Sequence, residues 1–305
     1  MITGSLLVPM RSWIEEGGHA ATVHSDPEAS GKTPMGNVTK PSFDKYSDGK
    51  TLYGDDFSPD QIEAWFRDEA EAYYRLPEDR EPGLYAYHAR NWRHGFRHLP
   101  LSAFEHVLCL GGAFGDEIQP ILGRSKKVTV LESAGEFRNP KLEYVKPNAD
   151  GRMPFADNTF DLVTCFGVLH HIPNVSAVLR EMARCTKPGA WQLICEPTHS
   201  MGNWDKPRRL LTPNERGIPP AIMRRIVSEA GLQIVHERRC MLSLTSRFEL
   251  FLPKRQFVFN KNWITVVDDY LSNLPIWPQH YHATNFVQKL RPLALFLVLQ
   301  RKAHP

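Results

Sequence analysis

From residue 106 onward, short apolar runs alternate with stretches in which apolar residues recur every three to four positions. The short runs predict buried strands, and the longer stretches predict amphipathic helices. The predicted strands are 106–110, 127–132, 142–145, 160–165, 191–196, 232–237 and 293–300, and the helices between them are 116–122, 174–185 and 219–231. Because parallel neighbours need crossover connections, this alternation predicts an α/β fold with a mostly parallel seven-stranded sheet and helices on both faces.

The chain before the first strand follows a different pattern. Residues 1–57 show no sustained period and are rich in small and charged residues over much of their length, which predicts an irregular arm. A helix start follows, with Ser58 as N-cap, Pro59 at the first helical position and Gln61 closing a capping box. That helix and a second one over 85–98 predict an N-terminal helical cap, residues 58–104, at the open end of the sheet.

The regular alternation covers residues 105–240, which we take as the core domain, and then stops. Residues 241–290 are marked by aromatic residues and prolines, and a connection of this length inside a compact domain is usually functional or separately structured. We interpret it as a C-terminal insert that forms a lid or binds an acceptor. The final core strand and the C-terminus, residues 291–305, follow it.

Charge and cysteine content narrow the classes of partner. The formal net charge of +3 over 305 residues is low for a protein that wraps nucleic acid, so no nucleic-acid partner is predicted, and the basic cluster 206–209 is interpreted as a solvated surface. The five cysteines are odd in number and lack CxxC spacing, which predicts reduced thiols rather than disulfides or a zinc knuckle.

The sequence contains no apolar run long enough to cross a bilayer. The apolar patch Leu6 to Met10 is followed by Arg11 and two glutamates, the wrong order for a secretory signal. We therefore expect a soluble cytoplasmic protein with no membrane partner. The oligomeric state stays open.

A glycine turn follows the first predicted strand. Gly111, Gly112 and Gly115 allow the backbone to turn sharply and to approach a ligand closely. Glu132 ends the second strand, 21 positions after Gly111, where a carboxylate can accept hydrogen bonds from the ribose hydroxyls of an adenosine-containing cofactor. Together these features predict a nucleotide-type cofactor at the carboxyl ends of the strands.

Further motifs make the prediction more specific. The triplet Ala149-Asp150-Gly151 follows the third strand, and the stretch 153–174 reads MPFADNTFDLVTCFGVLHHIPN. This ensemble resembles the class I S-adenosylmethionine-dependent methyltransferases of the small-molecule type, over about residues 105–240 and the final strand. The resemblance implies a Rossmann-like fold and S-adenosyl-L-methionine as cofactor.

The resemblance also implies roles for individual residues in holding the cofactor. Gly111, Gly112, Ala113 and Gly115 would line its methionine part, and Glu132 would hold its ribose. Asp150, beside Ala149, would accept from the adenine amino group, with Gly151 and Arg152 next to the ring. Phe166 and Gly167 would face the methionine part and the sulfonium.

The chain departs from the family pattern at two positions. Cys109 stands where an acid is usual, and Ala113 stands where glycine is usual. Cys109 removes a hydrogen-bond acceptor, and Ala113 narrows the turn by a methyl group. We therefore expect an altered affinity for the cofactor. A nicotinamide dinucleotide site fits worse, because its fingerprint would place Ala113 and Asp116 at glycine positions, and Asp116 would repel the pyrophosphate.

Methyl transfer needs a general base only where the acceptor loses a proton during attack. The candidate bases are His171, His199 and His170, which follow the fourth and fifth strands. A plain structural role, closing the turn after the fourth strand, is the alternative for His170 and His171, and an exposed loop position is the alternative for His199.

Candidates for acceptor binding lie in the loops at the same edge and in the insert. They are Glu196, Asn214, Trp277, His280, Tyr281 and His282. Aromatic and histidine side chains suit stacking on a planar ring or a sugar face, although Trp277 could equally belong to a small satellite core. His199, His280 and His282 could gather a metal ion, but we predict no metal.

The sequence therefore predicts an enzyme, a methyltransferase that modifies oxygen or nitrogen of a small biosynthetic intermediate or a glycan. The alternative is a catalytically silent homologue that acts as a binding or scaffold protein, which Cys109 and Ala113 favour. A nucleic-acid methyltransferase ranks third, because the chain lacks the Asn-Pro-Pro-Tyr type of motif.

Overall fold

The computed structural model describes residues 41–73, 83–133, 137, 139–148, 152–208, 211–252 and 257–303. Its centre is one sheet of seven strands in the order β3-β2-β1-β4-β5-β7-β6. The strands are β1 Phe104–Leu110, β2 Ser125–Leu131, β3 Glu143–Val145, β4 Phe160–Phe166, β5 Thr186–Pro197, β6 Leu232–Leu242 and β7 Pro292–Arg301. All seven predicted strands are present, and the prediction of a Rossmann-like fold is confirmed.

The sheet is parallel from β3 to β5, and β7 lies antiparallel between β5 and β6. The chain moves outward from β1 to β2 and β3, and then returns to add β4 on the other side of β1. Connections therefore diverge at the carboxyl ends of β1 and β4, which is where open sheets of this type bind ligands.

The described helices are α1 Pro59–Tyr73, α2 His88–His94, α3 Gln119–Leu122, α4 Val175–Cys185, α5 Pro220–Glu229, α6 Ser243–Ser246, α7 Asn262–Ser272 and α8 Phe286–Lys289. Alternate residues of each central strand belong to two different core clusters, as a sheet buried on both faces requires. One cluster includes Leu179 of α4 and Ile222 of α5, and the other includes Phe96 and Ile264.

Two strands are longer than the sequence pattern predicts. β5 begins at Thr186 instead of 191, because Thr186 pairs with Phe160 before an irregularity in the ladder restores the register at Trp191. β6 continues to Leu242, where the carboxylate of Asp268 accepts the backbone N–H groups of Met241 and Leu242 at 2.8 Å each. Long-range partners, which local periodicity does not report, extend both strands.

The predicted helix start at Ser58 is present as a reciprocal capping box. The N–H of Gln61 donates to Ser58 Oγ at 3.4 Å, and the N–H of Ser58 donates to Gln61 Oε1 at 3.0 Å. Residues 41–57, the described part of the predicted arm, are irregular but packed: Tyr46 is fully buried, and Tyr53 stacks on Trp204 with ring centroids 4.5 Å apart. This segment is therefore part of the folded body.

The insert is divided between two places in the fold. Its main helix, α7, packs against β6 and α2, and Ile264 enters the core cluster on that face of the sheet. Asp269 of α7 pairs with Arg93 at 2.8 Å. Further along, Tyr281 joins an aromatic cluster with the 41–57 segment. Both parts of the insert therefore contact the N-terminal region, the first through α2 and the second through the 41–57 segment.

The five cysteines are free and buried, as their number and spacing predict. In the described part of the chain, no helix combines the length and the apolar character that a bilayer span requires.

Candidate functional site

The glycine turn after β1 has the backbone geometry that its sequence predicts. Gly111 and Gly115 have φ values of 64° and 73°, in the left-handed region that favours glycine. A Cβ at Gly111 would lie 2.6 Å from Val168, and one at Gly115 would lie 2.2 Å from Leu142. The turn thus packs closely against the exit of β4 on one side and against the start of β3 on the other.

Glu132 lies directly beside this turn. The parallel register of β1 and β2 aligns Leu110 with Leu131, so Glu132 leaves the sheet at the level of Gly111. Its carboxylate is buried and accepts the backbone N–H of Ala113 at 3.2 Å. The predicted pair of a glycine turn and a strand-end carboxylate therefore meets in space.

Ala113 fits the turn despite its methyl group. It adopts a φ of 45°, a left-handed conformation in which a residue with a Cβ is strained by about 1–2 kcal/mol. Its carbonyl accepts from Tyr144 Oη at 2.8 Å, and its N–H is held by Glu132. Contacts on both sides therefore keep the alanine in a conformation that glycine would adopt without strain.

The structure adds an acid to the turn that sequence reasoning missed. Glu117 is 1 % exposed, and its carboxylate accepts from Thr164 Oγ1 at 2.6 Å and from the thiol of Cys109. Burial raises the pKa of the Glu117 carboxyl to about 7, against the lowering effect of these two hydrogen bonds. Its position in a helix start is typical of a capping acid, so the sequence alone gives no sign that it turns inward.

The predicted adenine contacts are only partly within the described chain. Ala149, Asp150 and Gly151 lie outside the described residues, so their roles stay predictions. Arg152 is exposed, and its charge lowers the pKa of Glu181, after the larger effects of hydrogen bonds from Arg184 and Met153.

The exit of β4 combines a core residue with a turn. The ring of Phe166 packs against Phe96 and Phe296, with centroids 6.1 and 5.5 Å apart, inside the core cluster. Gly167 adopts a φ of 71°, and its N–H donates to the carbonyl of Cys195. At this exit, Val168 borders the glycine turn, whereas the Phe166 side chain packs within the core.

Glu196, at the end of β5, holds the turn that follows β4. Its Oε1 accepts the N–H groups of Val168 and Leu169 at 2.8 and 2.9 Å, and its Oε2 accepts from His170 Nδ1 at 2.8 Å. A carboxylate with this many protein donors orients the 3₁₀ helix Leu169–His171. Glu196 is therefore placed to position His170.

His170 and His171 stack on each other, with centroids 4.1 Å apart, but they have different electrostatic surroundings. Burial and the adjacent His171 lower the pKa of His170, against the opposing effect of Glu196. Burial also lowers the pKa of His171, but the carboxylates of Glu215 and Glu69 outweigh it and raise that pKa. Near neutral pH, His170 is the neutral imidazole of the pair.

His171 is held by a buried polar group that includes Asn214. Its Nδ1 lies 3.2 Å from Glu69 Oε2 and 3.5 Å from Glu215 Oε1. Glu69 also accepts the backbone N–H of Asn214 at 3.0 Å, and Tyr53 Oη donates to Asn214 Oδ1 at 3.4 Å. Glu69 was not a sequence candidate, because it has no motif around it.

Arg216 connects this polar group to the rest of the fold. Its side chain is fully buried and donates to five backbone carbonyls, those of Tyr53, Leu169, His170, Ile172 and Pro173. The carbonyls come from the 41–57 segment and from the turn after β4. One side chain therefore fixes that segment over the edge of the sheet.

The remaining candidates are His199, after β5, and residues of the insert. His199 is buried, and burial together with Arg291 lowers its pKa to about 3. Ser200 contacts the insert through two bonds, one from its N–H to the carbonyl of Tyr281 and one between its Oγ and His282 Nδ1 at 2.9 Å. Tyr281 Oη donates to the carbonyl of Gly217 at 2.9 Å.

Two residues of the insert, Trp277 and His280, lie outside the group around the histidine pair. Trp277 Nε1 donates to the carbonyl of Leu271 at 2.6 Å, so this indole closes the end of α7. His280 is exposed, and its carbonyl accepts from Arg291. The structure thus brings His170, His171, Asn214 and Glu196 together, and leaves Trp277 and His280 outside that group.

The described residues contain one group with the spacing of metal ligands, formed by His170, His171 and Glu215, whose ligand atoms lie within 4.8 Å of one another. Within this group, His170 Nδ1 bonds Glu196 and Glu215 Oε1 lies 3.5 Å from His171 Nδ1, whereas His170 Nε2 and Glu215 Oε2 have no hydrogen-bond partner in the described chain. The histidines 199, 280 and 282 form no such group in the described ranges.

The residues at the carboxyl ends of β1 and β2 fit S-adenosylmethionine. The left-handed glycines Gly111 and Gly115 set the path of the turn, and Glu132 lies beside it with a buried carboxylate. Glu117 Oε2 is buried, and no group in the described part of the chain lies within hydrogen-bond distance of it. A cationic ligand with two ribose hydroxyls matches these acceptors.

Comparison with known proteins finds similarity to methyltransferases over part of the chain. Residues 110–194 match the family model described as "Methyltransferase domain". The demethylmenaquinone methyltransferase of Renibacterium salmoninarum is 28% identical over 155 residues, which are 47% of this chain and 62% of that protein. The enzyme of the same name from Streptomyces griseus is 40% identical over 89 residues, 28% of this chain and 37% of that protein.

Among solved structures, an S-adenosylmethionine-dependent methyltransferase from Mesorhizobium loti aligns with a TM-score of 0.46 and 13% identity. It covers 69% of this chain and 97% of its own. The chain spans less than two thirds of the length of the curated relatives it matches. The family match identifies residues 110–194 as similar to a methyltransferase domain.

Proposed function

We propose that this protein transfers a methyl group from S-adenosylmethionine to a small-molecule acceptor. The observation that carries the proposal is the meeting of the glycine turn with the buried Glu132 carboxylate at the point where the sheet connections diverge. The methyltransferase-domain match over 110–194 supports it, because that range contains the turn, Glu132 and the histidine pair.

The cofactor supplies an activated methyl group on a sulfonium, so the protein has to position the acceptor and exclude water. In this chain, Glu132 holds the ribose hydroxyls, and Gly111 and Gly115 allow the backbone to approach the methionine part. The 41–57 segment and α1 cover the edge of the sheet through the buried side chains of Tyr53 and Trp65, and Trp65 Nε1 donates to the carbonyl of His171 at 2.7 Å.

His170 is the general base in this proposal when the acceptor is a hydroxyl group. The bond from its Nδ1 to Glu196 fixes the tautomer, so Nε2 carries the lone pair. No described residue lies within hydrogen-bond distance of Nε2. His171 is a weaker base candidate because its two carboxylate partners favour its protonated form. His199 is also weaker, because its pKa of about 3 makes it a poor proton acceptor.

The acceptor class in this proposal is a planar small molecule with a hydroxyl group or an amine. Aromatic side chains around the cap favour it, since Tyr46, Tyr53, Trp65, Trp204 and Tyr281 form one cluster next to Asn214. The relatives are named for a demethylated quinone, which is also a planar small molecule. In its wider form, the same proposal includes a glycan or another biosynthetic intermediate as the acceptor.

The experiment has two stages, binding and turnover. Calorimetry with S-adenosylhomocysteine tests the cofactor site, and release of S-adenosylhomocysteine from S-adenosylmethionine is then measured with a panel of naphthoquinols, catechols and aryl amines. Binding followed by acceptor-dependent release supports an enzyme. Binding without release for any acceptor class favours the silent scaffold, and no binding at all rejects both the cofactor and the reaction.

Replacing His170 with glutamine is expected to lower kcat for a hydroxyl acceptor by about 100-fold, because an amide accepts no proton at neutral pH. Stopped-assay rates across pH 5.5–8.5 provide the measurement. The wild-type rate should rise with pH and level off above the pKa of His170, and the variant should lose this dependence.

The matched control is His106→Gln. His106 bonds Thr129 Oγ1 at 2.8 Å near the opposite end of β1, away from the proposed cofactor site. If both variants lose rate equally, or if His170→Gln keeps the wild-type pH profile, His170 is not the base.

A further inference from the structure

We propose that Glu117 binds the α-ammonium group of the methyl donor, and so replaces the acid that β1 lacks at Cys109. This inference rests on the proposed function and assigns a second carboxylate to the same cofactor site.

One carboxylate oxygen of Glu117 lacks a hydrogen-bond partner in the described chain, although buried acceptors are usually hydrogen-bonded. The residue is 1 % exposed, and Oε1 is satisfied by Thr164 Oγ1 at 2.6 Å. Oε2 is buried and has no hydrogen-bond partner within the described ranges. Buried carboxylate oxygens are costly to leave unpaired, so such an atom calls for a ligand, a bound proton or a water molecule.

The carboxylate borders the glycine turn rather than the general core. A Cβ built on Gly112 would lie 3.5 Å from Glu117 Oε1 and 2.8 Å from Cys109 Cβ. The thiol of Cys109 in turn hydrogen-bonds Glu117. Glu117 is therefore next to Cys109, the position in β1 where an acid is missing, although Glu117 follows the turn in the sequence.

The charged groups around Glu117 leave it without a direct cationic partner in the described chain. Arg90 is a buried arginine near it, but its guanidinium donates to Asn91 Oδ1 and contacts Met241 Sδ. Glu132, from β2, adds a second negative charge. The pKa values of Cys109, Cys165 and Tyr85 are raised by burial with a contribution from Glu117, so these groups are neutral at pH 7.

The two carboxylates then have different tasks. Glu132 accepts from Ala113 N–H and is placed for the uncharged ribose hydroxyls, whereas Glu117 offers a free oxygen to a cation. The methionine part of the donor carries an ammonium group, a charged donor that suits a buried carboxylate. An ammonium ligand also compensates a charge that is otherwise unfavourable in the core.

The test compares Glu117→Gln with the wild type on three ligands by calorimetry. S-Adenosylmethionine and S-adenosylhomocysteine both carry the ammonium group, and 5′-methylthioadenosine lacks the amino-acid part altogether. We expect the variant to bind the first two roughly 10- to 100-fold more weakly and to bind 5′-methylthioadenosine unchanged. Asp116→Asn is the matched control, because the Asp116 carboxylate faces the backbone N–H of Gly83 instead.

The pH dependence gives an independent readout. Burial raises the pKa of Glu117 to about 7, so wild-type affinity for S-adenosylhomocysteine should rise several-fold from pH 6 to pH 7.5 as the carboxyl loses its proton. In Glu117→Gln this rise should disappear. The affinity of the wild type for 5′-methylthioadenosine should stay level over the same range.

Stability separates binding from a structural role. An acid with a raised pKa makes the folded state less stable as pH rises from its ordinary value of 4.5 toward 7, because the unfolded chain loses the proton first. Glu117→Gln should therefore be at least as stable as the wild type at pH 8. A purely structural carboxylate predicts the reverse, a lower melting temperature in the variant.

The outcomes are distinct. Equal weakening for all three ligands, or an unchanged affinity for the two amino-acid ligands, overturns the assignment of Glu117 while the cofactor site stands. Weakening for S-adenosylmethionine alone would assign Glu117 to the sulfonium and overturn the ammonium contact. If the wild type binds none of the three, the proposed function fails and this inference fails with it.

Discussion

Replacing Arg216 with methionine is expected to lower the free energy of unfolding by about 4 kcal/mol. The guanidinium is fully buried and donates to five carbonyls, at 2.7–3.2 Å, which methionine would leave without donors. The change also removes a positive charge from a region that holds the buried carboxylates of Glu69, Glu196 and Glu215. Few single substitutions combine both effects.

Urea denaturation followed by tryptophan fluorescence measures the change. Arg224→Met is the matched control, because Arg224 pairs with Glu237 at 2.6 Å on a half-exposed surface, where such a pair contributes about 1 kcal/mol or less. We also expect Arg216→Met to loosen the 41–57 segment, seen as faster proteolysis before residue 58. A loss similar to that of the control would mean that the carbonyls find other donors and that Arg216 does not fix this segment.

Replacing Glu132 with alanine is expected to weaken the binding of S-adenosylhomocysteine roughly 1,000-fold. A carboxylate that accepts from two ribose hydroxyls makes two charge-assisted hydrogen bonds, and alanine makes none. The same change releases the N–H of Ala113, whose left-handed conformation depends on that contact. The loss should be equal for 5′-methylthioadenosine, since that ligand retains the ribose.

Calorimetry at pH 7.5 tests this prediction, with Glu143→Ala as control. Glu143 is a half-exposed carboxylate on β3 that pairs with Lys127 and accepts from Thr129 Oγ1. Binding of S-adenosylhomocysteine by Glu132→Ala with wild-type affinity would contradict the ribose assignment. The ligand pattern also distinguishes Glu132 from Glu117, because only Glu132 should affect the ligand without an amino-acid part.

Much of the site's framework follows from local sequence. The glycine turn, the strand-end Glu132 and the Leu169-His170-His171 turn are each encoded within a few residues, and parallel strands bring their carboxyl ends to one edge of the sheet. The capping box at Ser58 is equally local, and the structure confirms it. Predictions of this kind succeed because backbone geometry and short-range hydrogen bonds set them.

The contacts of Glu196 could not be predicted from the local sequence. The sequence places it at a strand end, where it is a candidate for acceptor binding, yet in the fold its carboxylate is bonded to the turn after β4. The donors lie 26–28 positions away in the sequence, so no periodicity connects them. Whether it also reaches an acceptor stays a prediction, and positioning His170 is the task that its contacts support.

The sequence by itself determined the strands of the sheet and its mostly parallel character, because hydrophobic period acts over short distances, and its glycine placement predicts the class of cofactor. Only the tertiary structure decided which side chains share the buried edge. Glu69 meets His171 from 102 positions away, Arg216 meets Tyr53 from 163 positions away, and Glu117 turns inward beside Cys109. These encounters depend on packing and on the pairing of buried charges across the whole chain, which no local pattern records.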